Sequence, residues 1–106
     1  MARFEVVAEC SLRTADVARF TKALERRAPK TFIEHQLSLD LCTPLVVGRE
    51  GAKTHLRILV RAFVEEPVAS TEADIQKAAA DCLRATALFS KIEIEDWIPT
   101  AGDFAA

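Results

Sequence analysis

The sequence predicts a single α+β domain in the order β-α-β-β-α-β, and three observations carry that expectation. Residues 3–10, 32–42 and 54–64 alternate apolar and polar side chains with the period of two that marks a strand covered on one face. Two stretches led by Val17 and Ile75 instead repeat apolar residues at helical spacing. A fourth strand-like run follows at 91–98. At 106 residues, half of them apolar and 28% charged, the chain has the size and composition of one folded domain.

Residues 3–10 put Phe4, Val6, Ala8 and Cys10 on one face and Arg3, Glu5, Val7 and Glu9 on the other. Thr14 then stands where an N-cap is needed, with Asp16 favourable in the first turn. Val17, Phe20, Leu24 and Ala28 form the stripe of a helix of about four turns, closed by Pro29. The next strand places Ile33, His35, Leu37, Leu39 and Leu41 on one face against Glu34, Gln36, Ser38 and Asp40. Pro44 marks an edge or bulge, since it cannot donate to a ladder. After a turn at 48–51, Leu56, Ile58, Val60, Ala62 and Val64 alternate with Arg57, Leu59, Arg61 and Phe63, completing a hairpin.

Thr71 and Asp74 offer caps for the second helix, whose stripe is Ile75, Ala78, Ala79, Cys82, Leu83, Thr86 and Phe89. In the last strand Ile92 and Ile94 point inward, with Glu93, Glu95 and Trp97 outward. The domain is expected over 1–98, with 99–106 a C-terminal tail. Two strand–helix–strand units in series predict a ferredoxin-like two-layer sandwich: a four-stranded antiparallel sheet with two helices on one face. Right-handed crossovers put the first strand between the third and fourth and the second at an edge.

Net charge is −2, which gives the whole chain no attraction to nucleic acid or to an anionic membrane. The charge is uneven, with a balance of +4 over 13–30 and −4 over 65–81. No segment approaches the ~20 apolar residues of a membrane span, and the start of the chain lacks a signal-peptide pattern. Cys10, Cys42 and Cys82 are odd in number and dispersed, which fits a reducing cytoplasm.

Known constellations are missing. An RNA-recognition sheet stacks bases on aromatic side chains in its central strands, whereas the corresponding strands here offer one aromatic, Phe63, among carboxylates. His35 and His55 are the only histidines and no cysteine spacing suits a metal, so neither metal nor cofactor is expected. With three glycines there is no phosphate-cradling loop. Cys82 lies on an apolar helix stripe, and nothing near Cys10 or Cys42 lowers a thiol pKa.

Function is therefore expected on the sheet face the helices leave open. Val7, Leu59, Phe63 and Trp97 are its apolar anchors, and Arg57 and Arg61 its register-setting charges among flanking acids. The leading expectation is a non-catalytic cytoplasmic protein that self-associates as a homodimer, or binds a protein partner, through that face. The alternative is a small dimeric α+β-barrel-like enzyme or ligand-binding protein with a pocket between sheets, where Glu5 or Glu95 would serve as acid or base.

Overall fold

The computed structural model of the chain describes residues 2–64 and 72–101. Four strands, β1 (Ala2–Arg13), β2 (Ser38–Glu50), β3 (Lys53–Val64) and β4 (Glu95–Ala101), form one antiparallel sheet in the order β2-β3-β1-β4. Three helices, α1 (Val17–Arg26), α2 (Ala28–Glu34) and α3 (Glu72–Phe89), complete the described architecture.

The core follows the alternation of the two central strands. Phe4, Val6, Ala8, Cys10 and Leu12 of β1, with Leu56, Ile58, Val60, Ala62 and Val64 of β3, are at most 6% exposed. Phe20 and Leu24 of α1, Ala28 and Phe32 of α2, and Ala79, Cys82, Leu83 and Ala87 of α3 join them in one cluster. The helices thus cover one sheet face, which removes Phe20, Leu24, Phe32 and Leu83 from water while Ile33, Leu88 and Phe89 stay exposed.

Between β1 and β2 the chain departs from expectation. Thr14 opens a short 3-10 turn without capping anything; its hydroxyl meets that of Thr54 at 2.8 Å. Pro29 starts a helix rather than ending one: it lies in the first turn of α2, where the missing N–H costs nothing. Ile33 and His35 consequently belong to α2 and its end, not to a strand. Ile33 is exposed, and the His35 ring Nδ1 lies 2.8 Å from the Thr31 carbonyl oxygen. Gln36, at φ 64°, then terminates the helix in the left-handed region. The Gln36 N–H donates to the Ile33 carbonyl and the Leu37 N–H to that of Phe32, a paired C-cap that seats Leu37 in the core.

The hairpin and the last strand each carry a shift in register. β2 slips between Leu39 and Leu41, so Leu41 faces outward opposite Arg61 while Cys42 takes the inward place opposite Val60. The turn is Gly51-Ala52, with Gly51 at φ 61° and nothing within 4 Å of where a Cβ would sit. Backbone conformation, not space, calls for glycine there. α3 ends like α2, with Lys91 at φ 57° and the Ile92 N–H donating to Ala87. Phe89 is exposed rather than part of the stripe, and the Arg27 guanidinium lies over its ring. β4 continues through Ala101, beyond residue 98 where the domain was expected to stop. The cap candidate Thr71 and the end of the expected tail, with Phe104, lie outside the described residues. Among the described residues no helix is long and apolar enough to cross a membrane.

Candidate interaction face

The second sheet face is ordered in rows by the strand register. Arg3, Glu5, Val7, Glu9 and Ser11 of β1 stand opposite Phe63, Arg61, Leu59, Arg57 and His55 of β3. On the outer side of β3, β2 adds Ser38, Leu41, Thr43, Leu45 and Gly48 to the same rows. On the outer side of β1, β4 adds Ile98 beside Glu9 and Glu95 beside Ser11. Directly opposed side chains share a face, so these rows are a surface and not merely a pairing table.

At its centre lie the half-buried Val7 and Leu59, flanked by two ion pairs. Arg61 Nη2 is 3.4 Å from Glu5 Oε2, and Arg57 Nη2 is 2.8 Å from Glu9 Oε1. Leu45 and Ile98, 43% and 52% exposed, close the Arg57–Glu9 row at either edge. Phe63, half-buried, ends the face opposite Arg3. The result is an apolar patch threaded by cross-strand ion pairs.

Trp97 is the correction among the predicted anchors. β4 breaks register between Ser11–Glu95 and Glu9–Ile98, with Asp96 at φ 51°. That bulge moves every later side chain to the opposite face. Trp97 therefore packs against the core and Ile98 takes the outward place. Leu41 and Leu45 join the face for a related reason, the slip in β2.

The far end of the face holds a cluster that strand patterning alone did not bring together. Ser11, 2% exposed, has its hydroxyl 2.6 Å from His55 Nδ1, while His55 Nε2 lies 3.8 Å from Glu50 Oε2. Lys53 and Glu95 pair beside them. A hydroxyl, an imidazole and a carboxylate in sequence suggest a nucleophile, but a buried serine offers no substrate access, and the bond fixes the imidazole instead. Only register reveals the group, because Ser11 and His55 stand far apart in the chain.

Glu5 and Glu95, named as acid or base candidates, do not converge. Glu95 is paired across from Ser11, six residues along β1 from Glu5, which puts them about 20 Å apart at the usual strand rise. Each is claimed by a cation, Glu5 by Arg61 and Glu95 by Lys53. Burial pushes the Cys10 and Cys82 thiols up to about 11 and that of Cys42 up to about 12, so all three stay protonated near neutrality. Among the described residues no group of three or more His, Cys, Asp or Glu side chains is placed to hold a metal ion.

No protein-family model and no curated protein matches the chain significantly. Among solved structures, the chain is similar to the solution structure of the C-terminal domain of the MgtC protein from Mycobacterium tuberculosis. The TM-score is 0.51 at 11% identity, over 97% of this chain and 92% of that one. At that identity the likeness concerns the fold: an α+β domain with a four-stranded antiparallel sheet.

Proposed function

We propose that this chain is a non-catalytic domain on the ferredoxin-like plan, with two helical segments in its first crossover, that self-associates through its open sheet face. The supporting observation is that the strand register gathers Leu41, Leu45, Leu59 and Ile98 on one face around the Arg57–Glu9 and Arg61–Glu5 pairs. A face with that much apolar surface gains by excluding water, while its paired charges keep it soluble when unoccupied. The separation of Glu5 from Glu95 favours contact over chemistry, since the carboxylates meet arginines or lysine rather than a shared cavity. Attachment of a different protein to the same face is the variant of this reading that leaves the chain itself monomeric.

Sedimentation velocity over a wide concentration range tests it. Wild type is expected to form dimers, and Leu59→Glu to stay monomeric with an unchanged far-UV spectrum. A wild type that remains monomeric at the highest concentration overturns self-association.

A further inference from the structure

The face carries a charge pattern that selects how two copies meet. Its order β2-β3-β1-β4 puts the midline between β3 and β1. On one side of that line Arg57 and Arg61 flank Leu59; on the other, in the same rows, Glu9 and Glu5 flank Val7. A closed pair of identical copies meets through the same patch on both, related by a two-fold axis. For two sheets face to face, that axis lies in the plane between them, either along the strands or across them.

The two choices are electrostatically opposite. An axis across the strands, through the row of Leu59 and Val7, lays each strand on its own copy. Arg57 then sits over Arg61 and Glu9 over Glu5, like on like. An axis along the strands exchanges the two sides of the midline, so β3 lies over β1 and β2 over β4. Arginine then meets glutamate in both charged rows, Leu59 meets Val7 between them, and Leu45 meets Ile98 at the edge. At the hairpin end this arrangement lays Lys53 of one copy over Arg13 of the other, two cations that Glu95 and Asp16 each pair within their own chain.

We propose that two copies pack open face to open face about a two-fold axis parallel to the strands, with Arg57 and Arg61 of one copy over Glu9 and Glu5 of the other. This rests on the self-association reading of the same face and adds its partner geometry. The central row supplies the apolar contact, and the two charged rows set register and exclude the crosswise alternative, because like charges brought together at an interface are costly.

A charge-reversed chain separates the arrangements. It carries Glu5→Arg, Glu9→Arg, Arg57→Glu and Arg61→Glu together, so each row still holds one cation and one anion within the chain. It is mixed with mass-tagged wild type, equilibrated, and resolved by native mass spectrometry. With the axis along the strands, each chain pairs with itself, and the mixed dimer falls roughly tenfold below its statistical share, returning toward that share as salt rises. A mixed dimer at or above the statistical share overturns the proposed axis and leaves face-to-face association standing. If both chains stay monomeric, the self-association reading itself fails. Should the fourfold variant not fold, Glu9→Arg with Arg57→Glu repeats the experiment on one row, with a mixed-dimer deficit of about threefold expected.

Discussion

The two faces of the central strands obey different rules although the same residues' neighbours build them. On the helix side, Ala8, Ile58, Val60 and Ala62 are fully buried within one apolar cluster. One residue along in each case, Val7, Glu9, Leu59 and Arg61 form a surface of paired charges around half-buried apolar groups. The helix side is stabilised by removal of area from water, at about 25 cal/mol per Å². The open side gains little from its ion pairs, since exposed pairs contribute about 0–1 kcal/mol each. The first face holds the fold together, and the second has composition to spare for a partner.

That contrast gives the largest expected effect. Phe32→Ala removes a fully buried ring of α2 and should lower the unfolding free energy by about 3–5 kcal/mol. Leu59→Ala, measured by urea denaturation at concentrations too low for association, should cost about 1 kcal/mol or less. Equal losses would break the comparison, because they would mean that the open face is packed within a single chain.

A second, smaller effect lies in how the covered side is anchored. Asp16, its side chain 8% exposed, joins β1 to α1 by accepting from Arg19 Nη2 at 2.9 Å and Arg13 Nε at 3.1 Å. The hydrogen bond from Arg19, with Arg13 adding to it, holds the Asp16 carboxyl below its ordinary range. A carboxyl depressed in the folded state stabilises fully above its unfolded value of about 4, and that contribution is lost as pH falls through the folded value. Asp16→Asn should therefore melt earlier than wild type at pH 7, and the gap should close as pH drops below about 4. A gap of constant size across that range would show that the ion pairs are not its source.

The central strands were legible because both faces keep strict alternation: every inward residue of β1 from Phe4 to Cys10 and of β3 from Leu56 to Val64 is placed as the period of two requires. What patterning misses has two causes. The start of β2 was obscured because Ile33, His35 and Leu37 are spaced like a strand, while the helix-ending signal sits on Gln36 instead of a glycine. Alternation misplaces Trp97 and Leu41 because single-residue bulges invert a strand's faces and leave no mark on composition. Alternation alone puts Arg57, Arg61, Leu59, Val7 and Phe63 on the open face; Leu45, Ile98 and the Ser11–His55 contact follow only from the register.

The smallest effect concerns those glycine-free helix ends, which set how firmly the covered side is closed. Gln36 and Lys91 both hold the left-handed conformation, in which a Cβ crowds the following carbonyl, and each is followed by a buried residue, Leu37 or Ile92. The backbone strain is offset by seating that residue in the core. Glycine adopts the same conformation without the crowding, although it gives the unfolded chain more freedom. Gln36 is exposed, so its replacement removes no buried contact. Gln36→Gly should raise stability by up to about 1 kcal/mol in urea denaturation while leaving the proposed face-to-face association unchanged, because α2 lies on the side away from the open face. A loss of stability would mean that the Gln36 side chain contributes more than its backbone costs. A change in dimerisation would mean that the two faces are coupled through the sheet, against the independence argued from their contrast.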